Sequence, residues 1–130
     1  MTLNRRRFLK TTAGTILAAP ALVNGAFASN HGPIKFVSIL DQSGGLDIYG
    51  KPMVDATKMA IDEMNEAGGL LGRKIDLKVY DPQSSIQFYT QFATQATAGD
   101  RADVVHAGIT SASREAIRPT FSRYNTLYFY

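Results

Sequence analysis

From Ile34 onward the chain alternates short apolar runs with longer stretches in which apolar residues recur every three or four positions. Ile34 to Leu40 is rich in β-branched and apolar residues and reads as a buried strand, which Asp41-Gln42-Ser43-Gly44-Gly45 breaks as a loop. Residues 52–67 carry a helical period, with Met53, Ala56, Ala60, Met64 and Ala67 on one face and Asp55, Lys58, Asp62 and Glu66 elsewhere. Pro52 suits a first helical turn and Gly68-Gly69 a left-handed stop. Ile75 to Tyr80 alternates apolar and polar residues as a strand does, and Asp81-Pro82 ends it. Ile86 to Ala98 reads as a second helix, with Phe88, Phe92 and Ala96 at spacing four. Val104 to Ala107 is a short third strand with Gly108-Ile109-Thr110-Ser111 as its exit loop. A third helix covers Ala112 to Tyr124, with Ile117, Phe121 and Tyr124 on one side and a kink expected at Pro119. Leu127 to Tyr130 reads as a fourth strand.

The resulting order, β-α-β-α-β-α-β, predicts an α/β fold: a doubly wound, mostly parallel sheet with helices on both faces and right-handed crossovers. An apolar strand needs neighbours on both sides, and the last one ends the sequence, so residues 34–130 are expected to be an incomplete lobe.

The first 28 residues follow a different pattern. Arg5, Arg6, Arg7 and Lys10 precede an apolar run from Ala13 to Val23, and Ala26-Phe27-Ala28 supplies a small-x-small cleavage site. Arg5-Arg6-Arg7-Phe8-Leu9-Lys10 resembles the twin-arginine motif R-R-x-F-L-K, so export to the periplasm is expected, with cleavage after Ala28. The competing reading is a basic arm on a cytoplasmic protein, which requires neither the apolar run nor the A-x-A end. The run is far shorter than the ~20 residues that span a bilayer, so no permanent membrane anchor is expected. Residues 29–33 then form a polar linker.

Taking the leader away changes the charge. It holds four of the 14 Lys and Arg residues and none of the 11 acids, leaving 10 bases against 11 acids. The remaining chain has no basic excess with which to hold nucleic acid. The absence of cysteine excludes disulfides and thiolate chemistry.

In open α/β sheets ligands bind beyond the carboxyl ends of the strands, which directs attention to residues 41–50, 81–85 and 108–113. Thr110, Ser111 and Ser113 place three hydroxyls at a helix N-terminus, where free N–H groups favour a carboxylate or carbonyl oxygen. Ser111 can equally be the N-cap, and the two roles are compatible. Ser43 with Gly44 and Gly45 either brings backbone close to a ligand or makes a turn; Tyr49, beside Gly50, reads as a lid over the helix start. Nucleotide-binding glycine patterns and a G-x-S-x-G elbow are missing, and His31 and His106 lack metal-ligand spacing. Neither a cofactor nor a catalytic constellation is expected.

Four stretches together resemble the type I periplasmic binding proteins of the branched-chain amino acid, amide and urea uptake family. Ser43-Gly44 with Tyr49-Gly50 looks like an S-G-x-x-x-x-Y-G loop. Ala60 to Ile75 is similar to the signature A-I-x-x-x-N-x-x-G-G-x-x-G-x-x-I/L. Asp81 matches an acid ending the second strand. Thr110-Ser111-Ala112-Ser113-Arg114, followed by Ala116, Pro119, Phe121, Tyr124 and Phe129-Tyr130, looks closest to the amide and urea branch, whereas Tyr49-Gly50 favours the amino acid branch.

The resemblance implies a flavodoxin-like first lobe and no enzymatic activity. It implies the substrate-binding component of an ABC importer, which captures urea, a short amide or an aliphatic amino acid and delivers it to a membrane permease. Ser111 would hydrogen-bond the ligand's carboxylate or carbonyl, Tyr130 would pack on the ligand or bond it, and Tyr49 would line the cleft, closed by hinge motion of a second lobe. A ligand-sensing regulator on the same fold and a secreted α/β enzyme are the rival readings.

Overall fold

The computed structural model describes residues 32–130. The leader expectation, resting on Arg5, Arg6, Phe8, Leu9, Lys10, Ala26 and Ala28, lies outside the described residues. Four strands, β1 (Ile34–Ile39), β2 (Ile75–Tyr80), β3 (Val104–Ala107) and β4 (Leu127–Phe129), form one sheet in the order β2-β1-β3-β4. Every pairing is parallel, with Ile34 opposite Ile75, Phe36 opposite Val104 and Val104 opposite Leu127. Between the strands run α1 (Asp47–Glu66), α2 (Ile86–Thr94) and α3 (Ser111–Tyr124).

Alternation along the strands divides the core in two. Val37, Ile39, Val105 and Ala107 meet Tyr89, Ala93 and Ala96 of the α2 segment and Ile117 and Phe121 of α3 on one face. Ile34 and Ile75, flanked by Phe36 and Leu77, meet Ile61 of α1 on the other. Phe121 also packs its ring 4.6 Å from that of Tyr128, and Phe92 stacks 4.7 Å from Tyr80. The face that α1 covers beside β1 and β2 stays open beside β4, where Leu127 and Phe129 are each 55 % exposed.

The helices depart from the sequence expectation in instructive ways. α1 starts at Asp47, not Pro52, because the Leu46 carbonyl already accepts the amides of Tyr49 and Gly50. Pro52 is therefore inside the helix, and the partner its ring denies to the Ile48 carbonyl is missed at an exposed residue. The buried stripe of α1 is Gly50, Val54 and Ile61, with Thr57 and Asn65 half-buried; Ala56, Ala60, Met64 and Ala67 face outward. Asn65 belongs to the inner face because its amide acts as a neighbouring strand would. Its Oδ1 accepts the Ile75 N–H at 2.8 Å and its Nδ2 donates to the Ile75 carbonyl at 2.9 Å, fixing where β2 begins.

α2 is rotated in the same sense: Tyr89, Ala93 and Ala96 are buried and Phe88 is exposed. The helix widens into a π turn over Gln95–Gly99, where the Asp100 N–H reaches back to the Gln95 carbonyl at 2.8 Å. α3 runs through Pro119 as one helix and stops where Asn125 adopts a left-handed conformation, φ 51°. Ile117 and Phe121 are buried as expected, but Tyr124 is 47 % exposed.

His106 stands on β3 opposite Ser38, on the α1 side of the sheet. Burial holds its imidazole below the ordinary value of 6.5. The folded chain thus binds fewer protons than the unfolded chain between these two values, so stability rises with pH there and falls as pH drops through 6.5. Urea midpoints recorded at about pH 7.5 and about pH 5 should differ less in His106→Gln than in the parent. An equal drop in both proteins would show that His106 does not carry the effect.

Candidate functional site

The chain crosses to opposite sides of the sheet after β1 and after β3, so their carboxyl ends flank the point where strand order reverses. One bank of this crevice is the loop from Asp41 to Leu46, and the other is Gly108 to Thr110 with the first turn of α3. The Gly108 N–H donates to the Ile39 carbonyl at 3.2 Å, keeping the two strand exits together.

Two carboxylates build the first bank. Asp81, at the exit of β2, accepts the N–H groups of Gln42 at 2.9 Å, Gln83 at 3.0 Å and Ser43 at 3.3 Å, and the Ser43 hydroxyl at 2.7 Å. Burial alone would push its carboxyl up, but the Ser43 hydroxyl and those amides hold it below the ordinary value. Asp41, fully buried at the exit of β1, accepts the Ser84 N–H at 2.6 Å and the Tyr89 hydroxyl at 3.0 Å. The Ser84 hydroxyl in turn accepts the Leu46 N–H at 3.0 Å.

These bonds hold Gln83 and Ser84 in the left-handed region, φ 54° and 59°, which residues bearing a Cβ seldom adopt. Backbone contact is close throughout. A methyl group at Gly44 would fall 2.7 Å from the Gln83 carbonyl oxygen, and one at Gly50 would overlap the Asp41 carbonyl.

The second bank rests on a capping box. The Thr110 hydroxyl accepts the Ser113 N–H at 3.2 Å, and the Ser113 hydroxyl accepts the N–H groups of Thr110 at 3.1 Å and Ile109 at 3.2 Å. Thr110, not Ser111, is thus the N-cap. Ser113 is buried, while Ser111 is the first helical residue, exposed and outside the cap. Behind it, the Tyr128 hydroxyl donates to the Ala107 carbonyl at 3.0 Å, and burial pushes that phenol up to about 12. The Tyr130 ring is 53 % exposed, lies over Gly108, and carries the Arg114 guanidinium 4.8 Å from its centre.

The residues expected at a site therefore fall into two groups. Ser111, Thr110, Ser113 and Tyr130 gather around the α3 N-terminus, whereas Ser43 and Tyr49 belong to the opposite bank. Ser43 spends its hydroxyl on Asp81, and Tyr49 is 60 % exposed on α1. Sequence reasoning passed over Asp41 and Tyr89; the available signal was an acid directly after a buried apolar run. Among the described residues no three His, Asp or Glu side chains gather as a metal site, and no helix is long and apolar enough to cross a membrane.

Comparison with known proteins agrees with this fold. Residues 34–130 match the family described as periplasmic binding protein domain. A Leu/Ile/Val-binding protein homolog from Brucella suis is 36 % identical over 58 residues, covering 45 % of this chain and 14 % of that protein. Among solved structures, the leucine-, isoleucine-, valine-, threonine- and alanine-binding protein from Brucella ovis in its closed conformation superposes with a TM-score of 0.67 at 28 % identity. The branched-chain amino acid transporter substrate-binding protein of Streptococcus pneumoniae, in complex with isoleucine, shares the fold with a TM-score of 0.72 at 24 % identity. These matches cover 75 % and 74 % of this chain, which spans 27 % and 28 % of the two structures.

The close approach of Gly50 to Asp41 gives a direct check on the first bank. Gly50→Ala should cost about 3 kcal/mol in urea unfolding, the upper end of overpacking effects. Gly45→Ala, where a methyl group meets nothing within 4 Å, should stay within about 0.5 kcal/mol of the parent. Equal effects of the two changes would contradict the packing described.

Proposed function

This chain belongs to the periplasmic binding protein family, and from that premise we propose that it forms the first part of the N-terminal lobe of an ABC importer's substrate-binding component. The ligand it serves is an aliphatic amino acid, held by its carboxylate at the N-terminus of α3. The observation that carries the reading is the division of labour in the capping box. Thr110 and Ser113 use their hydroxyls to hold the helix start, and Ser111 stands exposed on it, outside the cap.

Early amides of a helix have no intrahelical acceptor and sit at the positive end of its dipole, so a carboxylate is the group they suit. Ser111 donates its hydroxyl to the ligand, Tyr130 and Tyr49 supply walls, and Ser43 keeps the facing loop in place through Asp81. The Brucella ovis relative is named for leucine, isoleucine, valine, threonine and alanine, which supports the amino acid class over urea and short amides. The second lobe and a membrane permease complete the system, which works outside the cytoplasmic membrane.

Isothermal titration of the full-length protein with L-isoleucine, L-leucine, acetamide and urea tests this. Binding of the amino acids is expected, and Ser111→Ala should weaken it by about tenfold or more, the value of a hydrogen bond to a charged group. Binding of acetamide or urea alone would move the ligand to the amide class, and binding of none would remove the receptor reading. For the leader, replacing Arg5 and Arg6 by lysine should leave an uncleaved precursor in the cytoplasm; unchanged processing would exclude the twin-arginine route.

A further inference from the structure

A second hollow lies toward the amino ends of β1 and β2, away from the crevice at the carboxyl ends. It is a half-open cavity of about 360 Å³ whose polar lining is Lys35, Asp76, Lys78 and Asp100. That volume falls within the range of small-molecule sites, roughly 300–1,000 Å³. Alternation puts Lys35 on the same face as Val37 and Ile39, and Asp76 and Lys78 on the same face as Tyr80, which is the face that α2 covers.

The π turn that follows α2 builds this place, because its wide closure on Gln95 delivers Asp100 to the sheet. The Asp100 carbonyl accepts the Lys35 ammonium at 3.0 Å, and its carboxylate accepts the Lys78 ammonium at 2.8 Å and the Tyr80 hydroxyl at 2.7 Å. Lys78 Nζ also stands 5.0 Å from the centre of the Tyr80 ring. One aspartate thus orders two long side chains from neighbouring strands before any ligand arrives, which lowers the entropy lost on binding. Each ammonium has three donors and gives one to Asp100, so N–H groups remain on both.

Asp76 supplies the opposite sign. It is paired with Lys35 in the β1–β2 register, roughly 5 Å across the ladder, and precedes Lys78 by about 7 Å along the strand. Its carboxylate is exposed and takes part in no ion pair among the described residues. The four charges cancel. A bare anion would therefore meet Asp76 and Asp100, and a bare cation Lys35 and Lys78, whereas a molecule bearing both signs finds a partner for each.

We propose that this cavity is a second ligand site, which takes a small α-amino acid as its zwitterion. The carboxylate lies on the spare N–H groups of Lys35 and Lys78, and the ammonium lies on Asp76. The site shares no residue with the crevice and does not depend on the function proposed there.

The test follows the backbone amide NMR signals of Lys78, Gly99 and Asp100 in the full-length protein during titration with glycine, acetate and methylammonium. Glycine should move these signals saturably, and the two half-ligands should bind at least about tenfold more weakly, each lacking one charged contact. Lys78→Gln and Asp76→Asn should each weaken glycine by about tenfold, one hydrogen bond between charged groups being worth that or more. Lys78→Arg, which keeps the charge, should retain binding.

Signals that do not respond to glycine overturn the proposal. So does acetate binding as tightly as glycine, which would make this a plain anion site, and so does a glycine response that survives both Lys78→Gln and Asp76→Asn. Loss of the response in Ser111→Ala would trace it to the crevice and overturn the second site. If Lys78→Gln fails to fold, Asp76→Asn decides alone, since the exposed Asp76 side chain holds no ion pair among the described residues. Because the amides report from the cavity itself, failure there leaves the crevice reading untouched, and failure of the crevice reading leaves this one standing.

Discussion

The architecture turns on a buried anion at the end of a central strand. β1 lies between β2 and β3, and its last apolar residues, Ile39 and Leu40, are wholly enclosed. A chain leaving such a position has to turn at once, because α1 must return over the sheet and its Gly50 passes against the Asp41 backbone. Asp41 makes that turn possible by taking the amide of Ser84 and the phenol of Tyr89, so two stretches of chain more than forty residues apart share one fixed point. Asp81 does the same from β2, but closer to solvent, with the Gln42 and Ser43 amides and the Ser43 hydroxyl of the first loop as partners. The interlock also accounts for the left-handed pair Gln83 and Ser84, a conformation that persists only where its surroundings over-determine it.

Much of the fold was legible from the pattern of residues. Short apolar runs alternating with helical periods located all four strands, and the βαβ order implied the parallel sheet that is found. Which face of each helix turns inward was not legible. In α1 the inward stripe includes Thr57 and Asn65, and a count of apolar residues therefore selects the wrong side. Asn65 is polar because it pairs with the backbone of Ile75, a role that hydrophobic periodicity does not register. In α2 the wide π turn after Thr94 and the buried phenol of Tyr89 shifted the inner face away from the Phe88–Phe92 line.

The candidate site shows the same division. Hydroxyls at the start of α3 and the loop after β1 could be placed from strand order alone, because ligands in such sheets collect where that order reverses. The partition of hydroxyls between holding the fold and facing outward could not. Thr110, Ser111 and Ser113 look interchangeable in sequence, and only the capping geometry separates them. Ser43 likewise reads as a free side chain until Asp81, thirty-eight residues later, is seen to accept it.

That separation has an evolutionary reading. Because the cap is closed by residues 110 and 113, the helix start does not depend on what occupies position 111. A side chain there can be exchanged for a larger, smaller or differently polar one with little effect on the surrounding scaffold. On the proposed reading, in which Ser111 meets the ligand, single substitutions at this position would let a lineage change its preferred solute while the fold remains intact.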